Sequence, residues 1–272
     1  MGSILQNAIA TCLFEIRSSF TIQRTSVSLV LALFPPTMLG LLILGARFSR
    51  SGISSSILQD FTPLLTIVLI GLVSLLSLIL WATPNVSAEL EGKSWVFIAS
   101  RPGGRISIFL GKFLASFCVS YAICILSISL CTFLIDSQLH TGDAGRFWLS
   151  LSGIFFLACL TYGGIFSLLG VLFIKRAMTF SVGFVIVSDI IMASVPGVLM
   201  NKFSIRYHLQ EISLTWLGWF LPSSSEEGYR VIFGDGYPAT IHICILIGIT
   251  LFTLCLGAWA IANREYITTY EA

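Results

Sequence analysis

Six segments of this 272-residue chain are long and apolar enough to cross a lipid bilayer. A helix needs about 20 apolar residues for that purpose, and five of the six segments contain no Asp, Glu, Lys or Arg. Because a helix satisfies its backbone hydrogen bonds internally, we predict a bundle of six transmembrane helices. The segments are approximately Val27–Ala46, Thr62–Ala82, Phe113–Ile135, Phe147–Ile174, Met178–Met200 and Ile241–Asn263.

The composition excludes the main alternatives to a membrane protein. Charged residues make up 10% of the chain and hydrophobic residues 56%, whereas soluble domains carry about 25% charged residues. Disordered chains combine low hydrophobicity with high charge. A net charge of +2 without a basic run gives no reason to expect a nucleic-acid partner. The sequence therefore predicts an all-α, polytopic integral membrane protein in contact with membrane lipid.

The distribution of Lys and Arg predicts the orientation of the six segments. With the N-terminus in the cytoplasm, nine of the 15 basic residues lie on the inner side and six on the outer side. This bias has the sign that the positive-inside rule requires. We therefore expect a multi-pass protein of the inner (plasma) membrane with both termini in the cytoplasm.

The first 24 residues have a different pattern. Ile4, Ala8 and Cys12 begin an apolar row at every fourth position, whereas Glu15 and Arg17 lie on the polar side. This periodicity is typical of an amphipathic helix, and its mixed polarity favours a position along the membrane interface. We predict an interfacial helix over residues 1–24, either an elbow that moves the first span or a simple anchor. Residues 25–272 form the predicted six-helix transmembrane domain.

A predicted cytoplasmic loop, residues 83–112, concentrates charge between the second and third segments. It carries six charged side chains around a short apolar stretch, Trp95–Ala99, which precedes a turn rich in Pro and Gly. Gly111 and Lys112 do not end a phosphate-binding loop, because that motif reads GxxxxGK[ST] and this chain has Ile at position 106 and Phe at position 113. No nucleotide site is expected, and Lys112 is predicted to extend towards the lipid headgroups.

Residues 89–115 resemble the first cytoplasmic loop of ABC-2-type transporter permeases. Those loops combine a Glu, a Gly shortly after it, a short apolar helix, an Arg-Pro pair, a second Arg and Gly-Lys. Weaker similarity covers nearly the whole chain. Within the family, the chain is most similar to compact, type V exporter-like permeases such as the membrane subunit of the nitrous-oxide-reductase maturation transporter. The matching residues are Glu89, Gly92, Arg101, Pro102, Arg105, Gly111 and Lys112.

The resemblance implies a dimeric permease, with a second copy of this chain as the expected partner. A separate ATPase subunit would hold ATP and Mg, so this chain is expected to contain no cofactor and no catalytic site. That ATPase would bind a coupling helix at about residues 91–99. The alternative for the arginines is binding to lipid phosphate. The residues implied in ATPase coupling are Glu89, Glu91, Gly92, Trp95, Arg101, Pro102 and Arg105.

Asp189 is the one residue among Asp, Glu, Lys and Arg inside the six predicted spans. An ionisable group in the membrane is costly and commonly functional. A place on the substrate pathway is therefore one prediction for Asp189. The alternative is a hydrogen-bonded carboxyl group that packs against Ser188, Ser194 or a neighbouring helix.

The predicted outer segment, residues 201–240, mixes Trp and aliphatic residues with polar ones. This pattern favours two short re-entrant or interfacial helices, which would form either a gate or simple interface packing. The histidines at positions 140, 208 and 242 are not at ligand spacing, and the seven cysteines lie mainly in spans. No metal site is therefore expected.

These observations favour the permease subunit of an ATP-binding cassette exporter of unknown substrate. The alternative is a mechanotransmitting or assembly subunit, which would act on an extracytoplasmic partner protein without bulk solute transport. An intramembrane enzyme is disfavoured, because the sequence contains no recognisable catalytic motif.

Overall fold

A computed structural model describes residues 2–19, 21–48, 55–91, 104–139, 144–192, 201–217 and 237–263. These ranges are almost entirely helical and contain no β-strand, which confirms the all-α prediction. The α-helices are α1 (Gly2–Ser19), α2 (Ile22–Phe48), α3 (Ser55–Glu91), α4 (Gly104–Leu139), α5 (Ala144–Leu172), α6 (Ala177–Val185), α7 (Ile205–Leu217) and α8 (Ala239–Asn263).

Five helices are long and apolar enough to cross a membrane, namely α2, α3, α4, α5 and α8. The predicted span Met178–Met200 differs from them. Its described part consists of α6 followed by a π-helix, Ile186–Met192, and is shorter than the 20 or so residues that cross a bilayer. Residues 193–200 lie outside the described residues, so the sixth span stays a prediction.

Helix α5 is the centre of the bundle, and α3, α4 and α8 pack around it. The main core joins Leu78 of α3, Ile128 of α4, Phe166 of α5 and Leu246 of α8. Large apolar side chains such as Phe252 of α8 are exposed on the outside of the bundle. Contact with lipid accounts for that exposure. In water, apolar patches of this size would cause the protein to aggregate.

Close backbone approach between α5 and α8 depends on a glycine. A Cβ atom on Gly164 would lie 2.7 Å from Thr253 Oγ1, which is shorter than a van der Waals contact. Small residues drive helix association in membranes because lipid provides no hydrophobic force between helices. A hydrogen bond of 3.3 Å from Thr250 Oγ1 to Thr161 Oγ1 joins the same two helices.

Helices α3 and α4 extend well into the predicted loop 83–112. Helix α3 ends at Glu91 and α4 begins at Gly104, which leaves residues 92–103 between them, outside the described residues. The apolar span of α3 ends at Pro84, so the following turns of α3 project about 10 Å beyond it at 1.5 Å per residue.

Helix α1 packs along α4, and its orientation differs from the sequence prediction. Ala8 and Cys12 are buried as expected, but Glu15 from the predicted polar side is buried with them. Leu5 and Leu13 are exposed. The helix is present, whereas its position at the membrane interface stays a prediction.

Candidate functional site

The predicted coupling residues lie at the two helix ends that flank residues 92–103. Glu89 and Glu91 belong to the last turn of α3, and Arg105 belongs to the first turn of α4. Gly92, Trp95, Arg101 and Pro102 lie outside the described residues. The structure therefore places three of the seven residues at the end of α3 and the start of α4. Their role towards an ATPase stays a prediction.

Arg105 also has a contact that sequence reasoning did not anticipate. Its Nη1 donates a hydrogen bond of 3.2 Å to the backbone oxygen of Ala262, at the end of α8. The last carbonyl groups of a helix have no intrahelical donor, so a guanidinium group is a natural partner there. This bond connects the start of α4 to the end of the final span.

A buried ion pair joins α1 to α4. Lys112 Nζ lies 2.5 Å from Glu15 Oε1, and the two side chains are 5% and 11% exposed. The prediction that Lys112 extends to the lipid headgroups is therefore wrong. The physical reason is the proximity of Glu15, since a charged group away from water is stabilised best by an opposite charge within hydrogen-bonding distance.

Gly111 lets α1 approach α4 closely enough for that ion pair. A Cβ atom at Gly111 would lie 2.6 Å from the backbone oxygen of Ala8 and 2.7 Å from Thr11 Cβ. Any larger residue would push α1 away. The Gly111-Lys112 pair, which is not a phosphate-binding loop, thus attaches α1 to α4 about two turns after the helix begins at Gly104.

A second buried polar cluster surrounds Asp189 in the π-helix. The carboxyl group accepts hydrogen bonds from Tyr162 Oη of α5, from Ser188 Oγ at 3.0 Å and from Ser204 Oγ at 3.4 Å. Arg206 Nη1 donates to the backbone oxygen of Asp189 at 3.3 Å. Asp189 is 3% exposed.

This cluster connects three parts of the chain: α5, the π-helix and the start of α7. Ser188 was one of the predicted packing partners of Asp189, whereas Ser194 lies outside the described residues. Tyr162, Ser204 and Arg206 were not anticipated, because their spacing in sequence gives no sign that they meet. A π-helix is rare and frequently lies at a functional site. The proposed role of Asp189 on a substrate pathway stays a prediction.

Two histidines that the sequence treats as scattered are in contact. His208 Nδ1 of α7 lies 2.9 Å from His242 Nδ1 of α8, and His208 Nε2 lies 3.0 Å from the backbone oxygen of Lys202. Both rings are buried. One Nδ1 must donate and the other accept, so the two rings adopt different tautomers.

This histidine pair does not indicate a metal centre. In the described part of the chain, no group of three or more His, Cys, Asp or Glu side chains could hold a metal ion. The contact could not be predicted from the sequence, in which the two histidines are isolated and 34 positions apart. Its function in the described structure is to join α7 to the first turn of α8.

The family model for the ABC-2 family transporter protein matches residues 39–261 of this chain. The chain belongs to the ABC-2 transporter family. The match extends from α2 to α8 and includes the projecting ends of α3 and α4, which confirms the resemblance found in residues 89–115. No curated protein matches the chain, and the narrower similarity to the nitrous-oxide-reductase maturation transporter stays a prediction.

Membership of the family establishes a multi-pass membrane subunit of an ABC transporter, and it implies an ABC ATPase as a partner in general. The family assignment also suggests that this subunit is not itself catalytic.

Proposed function

We propose that this ABC-2 family permease dimerises with a second copy of itself and couples ATP hydrolysis in a separate ATPase subunit to export of a substrate. The observation that carries the proposal is the pair of long helices that flank residues 92–103. Glu91 ends α3 and Gly104 begins α4, and both helices continue into membrane-spanning segments. A force on the connecting residues would therefore move two spans together.

The contacts at the start of α4 support transmission of this movement beyond the two flanking helices. Arg105 connects α4 to the end of α8, and Lys112 connects it to α1. In this proposal α1 is the elbow that moves with α4. The simple-anchor alternative predicts that loosening α1 leaves coupling unchanged.

The ATPase contact can be tested by charge reversal. The chain is co-expressed with candidate ATP-binding cassette ATPase subunits, and co-purification and ATPase stimulation are measured. We expect Arg101→Glu to weaken association at least about tenfold, because like charges across an interface cost several kcal/mol. Arg146→Glu, at the start of α5, is the matched control and should leave association unchanged.

Arg105 needs a separate design, because it also bonds to Ala262. Arg105→Gln removes the charge and keeps a donor, whereas Arg105→Glu reverses the charge and removes the donor. Loss of coupling in both variants supports a contact with the ATPase. Normal ATPase stimulation with Arg101→Glu together with Arg105→Glu, or failure of any ATPase to associate, would overturn the proposal.

We also propose that Asp189 lies on the substrate pathway, in addition to accepting the hydrogen bonds described above. Asp189→Asn keeps the size of the side chain and removes its charge. Reduced transport in vesicles, with normal assembly and ATPase association, supports the pathway role. Unchanged transport excludes that role and leaves Asp189 as a structural group.

The mechanotransmitting alternative predicts a different pattern in the same vesicles. A mechanical subunit would stimulate ATP hydrolysis and act on an extracytoplasmic protein, without net movement of solute.

Cysteine labelling from each side of the vesicle would also test the proposed cytoplasmic position of both termini.

A further inference from the structure

An apolar groove lies where α1, α2, α3 and α4 meet. It encloses about 310 Å³. Its wall is almost entirely apolar and is built from side chains of all four helices, principally Ile16, Leu29, Ala32, Trp81, Val119 and Leu126. None of the polar clusters around Asp189 or Lys112 contributes to it. A hydrophilic solute would find only the hydroxyl groups of Thr25 and Ser28 to bond to in this wall and would lose its hydrogen bonds to water.

The groove has the dimensions of an alkyl chain. On α4 the lining extends from Cys118 to Leu126, which is about 12 Å at 1.5 Å per residue. Half of the bilayer hydrocarbon is about 15 Å thick. The groove thus follows one leaflet from the start of the first span towards the middle of the membrane.

The mouth of the groove carries positive charge. Arg24, at the start of the first span, places its guanidinium carbon 5.4 Å from the ring centroid of Trp81, and Trp81 lines the groove. Arg17 follows the lining residue Ile16 and is exposed. Glu15 is the nearest acidic residue in the sequence, and it is already paired with Lys112. The mouth therefore favours an anionic group.

Two hydroxyl-bearing residues, Thr25 and Ser28, line the groove, and Ser28 lies a single helical turn beyond Arg24. Ser28 Oγ is buried and has no hydrogen-bond partner in the described part of the chain. Because it gives up no hydrogen bond, a change of χ1 rotamer can turn this hydroxyl towards an occupant. The rise from Arg24 to Ser28 is about 6 Å, a spacing that separates a phosphate from an acyl ester in a glycerophospholipid.

We propose that this groove binds one anionic phospholipid from the surrounding bilayer. The acyl chain fills the apolar groove, the phosphate lies at Arg24, and an ester carbonyl accepts a hydrogen bond from Ser28 Oγ. The lipid would fill the space between α1 and α2, so it would hold the elbow helix against the first span. This inference does not depend on the proposed function, because lipid binding requires neither an ATPase nor transport.

The experiment uses the full chain in nanodiscs of phosphatidylcholine with added phosphatidylglycerol. Native mass spectrometry counts the retained lipid, and phosphatidylglycerol with brominated acyl chains quenches Trp81 fluorescence in a variant whose other five tryptophans are replaced by Phe. We expect one retained phosphatidylglycerol per chain. Arg24→Gln should weaken its binding about fivefold, as expected for one basic group at a lipid surface. Arg176→Gln removes an exposed arginine outside the groove and should have no effect.

A second variant tests the apolar part of the groove. Ala122 lines it, so Ala122→Trp should fill the space and abolish retention of the lipid in native mass spectrometry. Equal binding of phosphatidylglycerol by the wild type, Arg24→Gln and Ala122→Trp would overturn the proposal. If Ala122→Trp does not assemble, the binding of phosphatidylglycerol by Arg24→Gln alone tests the proposal.

A second copy of the chain in the groove is the competing occupant. Disulfide cross-linking between Cys118 residues in a variant without other cysteines would reveal it.

Discussion

Two of the buried polar regions of this permease hold charge in different ways. Near the start of α4, Lys112 and Glu15 form a one-to-one ion pair between two helices. At Asp189, three hydroxyl groups from α5, the π-helix and the residue before α7 surround one carboxyl group. Removal of one partner leaves an uncompensated charge in the first region, but only a reduced set of hydrogen bonds in the second.

The difference indicates which region can rearrange. The ion pair fixes α1 to α4, so these helices are expected to move as one body. Hydroxyl groups rotate and exchange acceptors, and the cluster at Asp189 includes a π-helix, which is a local departure from regular geometry. We therefore expect conformational change to be absorbed near Asp189 rather than at the contact between α1 and α4.

The largest expected effect comes from breaking the ion pair. Lys112→Met leaves Glu15 buried without its counter-charge and should lower the free energy of unfolding by about 3 kcal/mol. Denaturant unfolding in detergent micelles measures this change. Replacing both partners, Glu15→Gln with Lys112→Met, should recover much of the loss. A small effect of Lys112→Met alone would show that water or lipid headgroups reach Glu15.

The cluster at Asp189 should respond less. Tyr162→Phe removes one of three side-chain donors to the carboxyl group, and the cost is expected to be about 2 kcal/mol. Tyr121→Phe is a matched control, because its hydroxyl makes one long bond of 3.5 Å to the backbone of Ser152. A loss as large as that of Lys112→Met would contradict the proposed contrast between the two regions.

The histidine pair resembles the cluster at Asp189, because hydrogen bonds and not an ion pair hold it together. His242→Phe should cost about 1 kcal/mol. The single variants His208→Phe and His242→Phe and the double variant form a double-mutant cycle. We expect a measurable coupling energy between two residues in direct contact. Additive effects would show that the two rings do not depend on each other.

The smallest effect on stability is expected at Arg105. Its bond to Ala262 is exposed, so Arg105→Gln should change the free energy of unfolding by about 0.5 kcal/mol. ATPase stimulation by the same variant provides the sharper readout. A large loss of coupling with almost unchanged stability would separate contact with the ATPase from attachment of α4 to α8.

Much of the fold could be predicted because long apolar segments constrain a chain so strongly. The helices and five of the predicted spans follow from length and hydropathy, and the family follows from residues near the ends of α3 and α4 together with the match over 39–261. The loop boundaries were less predictable. Helix α3 continues past its apolar span through Pro84 to Glu91, since polar residues end a span without ending a helix.

The partners of the polar residues could not be predicted from spacing. Lys112 is separated from Glu15 by 97 positions and Tyr162 from Asp189 by 27, and no local pattern relates the members of either pair. Amphipathic periodicity assigned Glu15 to the polar face of α1, which is correct for a helix in isolation. Packing against α4 reversed that assignment, because Lys112 lies opposite and Gly111 permits the approach.

The sequence by itself thus determined that the chain is helical, spans a membrane and belongs to a transporter family. Hydrophobic length and backbone hydrogen bonding dictate these properties segment by segment, so no knowledge of the neighbouring helices is needed. Only the tertiary structure decided which polar groups meet and which apolar faces enclose the groove beside Trp81. Those contacts depend on how closely and at which register the helices pack, and register is a property of the assembled bundle.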